Sequence, residues 1–265
     1  MSKRKGVNSM SKTVQGAQSF ARNIGVLQLI ADSGAATSRA ELLKQCGLTR
    51  PTLYRIIASL EAEGMIEQTG DNRYRLGGRL VSLARLALAQ NDVRKIAEPP
   101  LARLRDATGE TVHLAIRSGD ELVYIDKIES REIVRMTSTI GTRVPFHSSG
   151  VGKAFLSAMP KPDAESLIDR MPLPAITPFT VTDRAALQQT VGQARKAGFV
   201  RDDQENEIGI VCFGAAVCED ADRPVASVSV SVPLFRLSAD TRRYSRPLLE
   251  AVAEISAQLG FVSSL

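Results

Sequence analysis

The sequence predicts an α+β fold, and three observations predict it. Up to about residue 90 the apolar residues recur at helical spacing, broken only by one short pair of strand-like runs. From Glu110 the period changes to alternation in two hairpin-like stretches separated by helical ones. Helical spacing then returns at the C-terminus, so the second part reads strands, helices, strands, helix, the order of an antiparallel sheet with segregated helices. At 265 residues, 43% hydrophobic and 24% charged, the chain can bury two cores.

The elements follow in order. "VLQLIADSG", Val26 to Gly34, has helical spacing and ends on a glycine suited to a C-cap. Ser38 with Glu41 three residues on makes a capping-box pattern, opening a short helix that ends near Cys46-Gly47. "GLT" is a tight turn, Thr49 can cap the next helix, and Pro51 is tolerated in its first turn. Leu53, Ile56, Ile57 and Leu60 then form one apolar stripe. With that stripe inward, Arg50, Thr52, Tyr54 and Arg55 are left for the outer surface. "GMIEQTGDNRYRLGG" reads as two short strands around Gly70-Asp71-Asn72, with Arg73 and Arg75 on one basic face.

Two short helices, a Gly-containing turn and a polar second helix make a helix-turn-helix, and the basic hairpin makes a wing. Two helices alone would equally make an ordinary αα-hairpin. The conjunction favours DNA binding: a capped helix, a glycine turn, an Arg/Thr/Tyr-rich second helix, a basic hairpin and local positive charge. Residues 1–90 hold 13 Lys and Arg against 6 Asp and Glu, while residues 91–265 hold 21 against 23. A polyanion is therefore expected at the N-terminal third, with arginine suited to guanine and threonine or tyrosine to phosphates or thymine methyls. The candidate DNA contacts are Ser38, Thr49, Arg50, Pro51, Thr52, Tyr54, Arg55, Asn72, Arg73 and Arg75.

"GGRLVSLARLALAQNDVRKIAEPP" opens with a helix-breaking pair and continues as a helix with Leu80, Leu83, Ala84, Ala87 and Leu88 on one face, widened by Val81. Such a face needs a partner. Pro99-Pro100 is expected to interrupt the helix before "LARLRDATG" resumes. "TVHLAIRSGDELVYIDKI" is a hairpin turning at Ser118-Gly119-Asp120, and "EIVRMTSTIG" is a further strand. Helices are expected at 150–159, 162–171 and 183–197, a second hairpin around Asp220-Ala221-Asp222, and a terminal helix in "SADTRRYSRPLLEAVAEISAQLG".

Several function classes fall away. "HSSGVGKAF" imitates a phosphate-binding loop but has His147 where glycine is required and Ala154 where a metal-binding hydroxyl belongs. What survives is a helix start at which the Ser149, Gly150 and Val151 N–H groups could meet a small anion, with Lys153 on the helix surface. His113 and His147 are the two histidines, and no HExxH or CxxC spacing accompanies them. A Cys212–His147 nucleophile, or zinc on both histidines, Cys212 and a carboxylate, lacks support in the spacing. No catalysis, cofactor or metal is expected. Three cysteines, Cys46, Cys212 and Cys218, suit a reducing cytoplasm. No apolar run approaches the roughly 20 residues of a membrane span.

The chain resembles the IclR family of bacterial transcriptional regulators. The resemblance is carried by "LTRPTLYRIIASLEAEGMIEQTGDNRYRLG", "VYIDKIES", "IGTRVPFHSSGVGKAFL" and "AGFVRDDQENEIGIVCFGAAV" with "PVASVSVSVP", and extends from about Val14 to the C-terminus. Tyr54 departs from it, standing where the family often has histidine. The resemblance implies a basic disordered tail at 1–13, a winged helix-turn-helix at 14–77, a linker helix at 78–92 and a GAF-like effector-binding domain at 93–265. It implies a cytoplasmic, ligand-responsive regulator, expected to repress a catabolic operon. Its expected partners are double-stranded operator DNA, a small organic acid or related metabolite, and further copies of itself as a homodimer or dimer of dimers. A small-molecule-binding protein or enzyme whose winged helix serves assembly is the alternative.

Matched residue by residue, the resemblance implies polar pocket groups at the Gly150 and Val151 backbone and at Asp202, Cys212, Ser229 and Ser231. The apolar wall falls on Ile133, Met136, Val144 and Ile210. Ser229 and Ser231 share a strand face while the valines of "ASVSVSV" take the other, which suits either a polar cavity or a solvated face. Asp202 lies in the acidic run "RDDQENE", whose plain meaning is a solvated loop, and Cys212 reads as a weak polar contact or a small apolar filler.

Overall fold

The computed structural model describes residues 17–90, 92–133, 138–220 and 223–261, in two compact units, 1–90 and 91–265. The expected tail at 1–13 and the pocket candidate Met136 lie outside the described residues.

The first unit runs α1 (Gln18–Asp32), α2 (Arg39–Cys46), α3 (Arg50–Ala62), β1 (Ile66–Gln68), β2 (Tyr74–Leu76) and α4 (Gly78–Ala89). Its core joins Val26 and Ile30 of α1, Leu42 of α2 and the four-residue stripe of α3 to Ile66 and Tyr74 of the hairpin. The capping box at Ser38 is present, and Gly47 stops α2 in the left-handed conformation at φ 63°. Thr37 and Tyr74 exchange backbone N–H···O bonds of 2.9 and 2.8 Å, tying the entry to α2 onto the hairpin. Where the chain leaves the hairpin, Gly77 lies so close to the preceding turn that a Cβ there would sit 2.2 Å from the Gly64 carbonyl oxygen. No residue of α4 is buried, and Val81, Leu83 and Leu86 are exposed.

The second unit contains α5 (Asp92–Thr108), β3 (Thr111–Ser118), β4 (Glu121–Ile128), β5 (Arg143–Val144), α6 (Gly150–Ala158), α7 (Lys161–Arg170), α8 (Arg184–Ala197), β6 (Val200–Asp203), β7 (Ile210–Asp220), β8 (Arg223–Pro233) and α9 (Arg242–Gln258). Among the described residues its strands form one antiparallel sheet in the order β5-β4-β3-β8-β7-β6. Register assigns the faces. Cys212 and Gly214 of β7 stand opposite Ser231 and Ser229 of β8, and that face meets the start of α6. The intervening Phe213 points the other way and stacks on Tyr244 of α9 at 5.2 Å between ring centroids. Ser227, Ser229 and Ser231 are buried like the valines between them, so the alternation separates two buried faces and neither is solvated.

Three expectations need correction. Pro99 and Pro100 do not interrupt a helix; α5 continues through both, because Ala97, Pro100, Leu101 and Leu104 form one buried face that outweighs the missing backbone bonds. "EIVRMTSTIG" contains no described strand: residues 134–137 lie outside the described residues, those beside them form bends and turns, and the short strand is Arg143–Val144. "RDD" is no loop, since it lies in β6 paired with β7.

The Gly77 contact yields a paired test. Gly77→Ala must displace backbone, so the first unit should lose about 1–3 kcal/mol of stability. Gly78→Ala, with nothing within 4 Å of the new methyl, should be neutral. Thermal melts followed by circular dichroism distinguish the two, and equal effects would refute the close-approach argument.

Candidate nucleic-acid interface and ligand pocket

The buried stripe of α3 fixes what the helix presents. Arg50, Pro51, Tyr54 and Arg55 are exposed and Thr52 is half-buried. Two flanks result. Thr52, Arg55 and Ser59 look towards α1, whereas Tyr54 looks towards α2, where the Arg39 guanidinium lies 5.2 Å from its ring and 5.3 Å from that of Tyr74. Arg39 also donates to the Tyr74 hydroxyl. The sequence reading missed Arg39 because its partners are 15 and 35 residues away.

Thr49 begins α3 in an extended conformation, φ −71° and ψ 151°, but its side chain caps no N–H. Pro51 sits at the second helical position and has no N–H to offer. The Thr49 hydroxyl instead lies 2.9 Å from that of Thr52. Ser38 is spent on its own helix. Its backbone N–H donates to Glu41 at 2.7 Å, and these contacts, with Arg73 and Thr37 nearby, hold the Glu41 carboxyl down at about 2.

The wing is less basic than its sequence. Arg73 donates to the Ala36 carbonyl at 2.7 Å and pairs with Glu41 at 3.0 Å, so it braces the hairpin against α2. Arg75 pairs across the strands with Glu67. Both ion pairs are partly exposed, and such pairs exchange readily for a phosphate. Asn72 turns the hairpin at φ 59° and accepts from Gln68 at 2.7 Å.

The second unit encloses a cavity of about 240 Å³ over the serine face of the sheet. Five of the expected pocket residues line it: Val144, Asp202, Ile210, Cys212 and Ser231. The others do not. Ile133 is 99% exposed, and Ser229 stands opposite Gly214, where a Cβ would come within 2.3 Å of the Gly150 carbonyl oxygen. Ser149 is committed as the cap of α6, accepting from the Gly152 N–H at 3.0 Å and donating to the Pro145 carbonyl at 2.7 Å. Gly150 and Val151 are buried, with Gly150 pressed against Cys212 and Asp202.

What the sequence did not disclose is the rest of the wall. His113 stacks on Tyr124 at 4.6 Å; its Nε2 lies 2.7 Å from the Ser138 hydroxyl and its Nδ1 3.3 Å from that of Ser231. Burial, with the Lys127 charge, lowers its pKa to about 3, so the ring is a neutral hydrogen-bonding group. Thr142, Asn206 and Glu207 complete the lining, which among the described residues carries no lysine or arginine. The Cys212 thiol lies 3.3 Å from the Ser231 hydroxyl, and burial pushes its pKa well up. His147 is held elsewhere, 3.0 Å from the Pro174 carbonyl.

Lys153 is not on the surface of α6. It is fully buried and pairs with Glu205, immediately beyond β6. Asp202 accepts from the Glu205 N–H at 2.8 Å beside this pair. Burial raises the Asp202 pKa to about 7, against the opposing pull of Lys153 and of backbone N–H donors.

A helix-turn-helix with an outward, arginine-bearing second helix and a wing defines a DNA-binding regulator of the winged-helix class. Comparison with known proteins supplies the family. Residues 19–70 match the IclR helix-turn-helix domain, and residues 85–257 match the bacterial transcriptional regulator IclR C-terminal domain. The HTH-type transcriptional repressor AllR of Escherichia coli (strain UTI89) is 32% identical over 253 residues, covering 95% of this chain and 93% of its own. The transcriptional repressor IclR of Escherichia coli (strain K12) is 29% identical over 247 residues, 92% of this chain and 90% of its own. The crystal structure of the Thermotoga maritima IclR superposes with a TM-score of 0.72 at 31% identity, covering 91% of this chain and 98% of that one. The chain belongs to the IclR family, and it is a DNA-binding transcriptional regulator.

Asp202 makes folding pH-dependent in a stated direction. Its folded pKa lies above its ordinary value of 3.8, so its stabilising contribution is complete below that value and is lost as pH rises through about 7. Asp202→Asn removes this loss. The melting temperature of the variant relative to the wild type should therefore rise between pH 4 and pH 8, by on the order of 5 °C. A constant difference would refute the burial argument.

Proposed function

We propose that the protein is a ligand-responsive repressor that binds a near-palindromic operator as a dimer or a dimer of dimers. One observation carries the reading: the apolar stripe of α3 leaves Arg50 and Arg55 outward, and neither forms an ion pair among the described residues. The other arginines of the turn and wing are engaged within the unit. In this reading Arg50 reaches a guanine edge in the major groove, Arg55 on the α1 flank meets a phosphate beside it, and Thr49, Thr52 and Tyr54 meet phosphates or thymine methyls. Pro51 keeps the helix start compact, Asn72 and Arg75 follow the backbone, and Ser38 and Arg73 position the elements that do so. The repressor names of the AllR and IclR relatives support the sign of regulation.

The effector, a small organic acid or related metabolite, enters the cavity bounded by Asp202, Cys212 and Ser231, with Val144 and Ile210 as apolar wall. His113 and Tyr124 belong to the same site. Binding would shift the population between arrangements of the DNA-binding units, to the extent of its unequal affinity for them.

Arg55→Ala should cost about 1–3 kcal/mol in operator affinity and leave effector binding intact. Gel shifts with the protein's own promoter region, run against salt, measure the first. Thermal shifts with a panel of small carboxylates and aromatic acids measure the second. Loss of both would contradict separable sites, and no binding above background to the promoter region would sink the DNA reading.

Among the described residues the lining carries no lysine or arginine, so an acid bound there meets neutral donors. Protonated Asp202 donates to it; ionised Asp202 repels it. Affinity for an anionic effector should therefore fall as pH rises through about 7, and Asp202→Asn should flatten that dependence. Calorimetric titration at pH 6 and pH 8 tests it, and affinity that rises with pH would contradict it.

A further inference from the structure

A second polar cleft, of about 290 Å³, lies in the first unit between the start of α1 and the middle of α3. Ser19, Arg22 and Asn23 line it from α1, and Thr52, Arg55 and Ser59 from α3. Among the described residues its lining contains no acidic side chain. The acid of α1, Asp32, lies at the opposite end of the helix and accepts from Gln28. Arg22 is exposed and, like Arg55, forms no ion pair among the described residues. By contrast Arg73, Arg75 and Arg79 each pair with a glutamate.

The start of α1 adds a second, independent attraction. Ala17 occupies the cap position and no described side chain accepts from the first-turn N–H groups, so that turn, which includes Ser19, carries a partial positive charge. Two guanidiniums without an ion pair among the described residues, with hydroxyl and amide donors, therefore line one concave surface near the start of α1. Such a surface fits a singly or doubly charged oxyanion.

We propose that this cleft seats one backbone phosphate of duplex DNA, clamped between Arg22 of α1 and Arg55 of α3. The inference rests on the reading that α3 enters the major groove. The phosphate is then the one that flanks the groove beside α3, and Arg22 fixes the depth and tilt at which the helix enters. Its contribution is independent of sequence, because a phosphate is the same beside every base pair. Arg22 is thus a second source of charge-dependent affinity, outside the helix-turn-helix and outside the wing.

The test uses the full chain and two probes, a duplex from its own promoter region and a scrambled duplex of equal length. Affinity is measured over a range of salt concentrations for the wild type, Arg22→Gln and Arg22→Lys. Arg22→Gln should weaken binding to both duplexes by a similar factor, roughly 3–10-fold, and reduce the slope of log K against log salt by about 0.9. Arg22→Lys should restore most of the slope, since it keeps the charge. Because Arg22 is exposed, the melting temperature should be unchanged, and a lowered one is controlled by the lysine variant, which shares any packing loss. If Arg22→Gln leaves affinity and slope as they were while the wild type binds DNA, the clamp is wrong and the groove reading stands. A loss confined to the promoter duplex would also overturn the proposal, since it would make Arg22 a base reader. If the wild type binds neither duplex in a salt-dependent way, the groove reading fails, and the clamp with it.

Discussion

The pocket side of the second unit depends on how closely α6 approaches the sheet. Its first residue, Gly150, touches β7 so tightly that a methyl group on Gly214 would lie 2.3 Å from the Gly150 carbonyl oxygen. Two residues on, a methyl on Gly152 would lie 2.5 Å from the Phe146 Cα. Two positions, Gly152 and Gly214, therefore require glycine for reasons of space, and each lets backbone meet backbone. This contact sets Asp202 and Cys212 as the wall beside α6. It also explains the false likeness of "HSSGVGKAF" to a phosphate loop. Both patterns use glycine for close approach, here to protein backbone.

That approach brings a charge inside. Lys153 follows Gly152 by one residue, and the docking of α6 leaves it no route to solvent. Glu205 meets it, yet Glu205 Oε2 has no hydrogen-bond partner among the described residues. A buried pair of this kind contributes little net stability, but removing one partner costs about 3–5 kcal/mol because the other is left uncompensated. The pair thus holds the segment after β6 in register with α6, and with it Asp202, Asn206 and Glu207 on the cavity wall. Asp202 sits at the edge of this network, pulled towards ionisation by Lys153 and away from it by burial. Burial wins, which keeps a carboxyl group titratable near neutral pH inside the site.

The helices and hairpins were legible in the sequence because they are local. Ser38 and Glu41, Gly47, and the stripe from Leu53 to Leu60 all act within eight residues, and period and caps suffice to read them. The failures share one cause: the deciding partner is distant in sequence. Lys153 was expected on a surface because Glu205 lies 52 residues away. Asp202 and Glu205 looked solvated because an acidic run does so unless a sheet and a lysine enclose it. His113 and Tyr124 joined the pocket through strand pairing, which no local pattern announces. Thr49 is a nearer case: its hydroxyl lies against that of Thr52 and accepts from no backbone N–H. Five of the pocket candidates line one cavity of the second unit, while Ser149, Gly150 and Ser229 serve the α6 contact itself.

The basic balance of the first 90 residues acquires a direction only in three dimensions. Counting charges treats every arginine alike, although a guanidinium already facing a carboxylate adds less to an anion's attraction than a free one. Arg73, Arg75 and Arg79 are partly neutralised by Glu41, Glu67 and Glu63, so the wing and the hairpin exit present a muted potential. Arg50 and Arg55 on α3 and Arg22 on α1 are not neutralised by any described residue. Arginine charge without an ion pair is therefore present at the exposed start of α3 and on its α1 flank. A helix entering the major groove needs its strongest attraction near its leading end and beside the phosphates it passes. The same stripe of four apolar residues that closes the core decides which arginines are left to supply it.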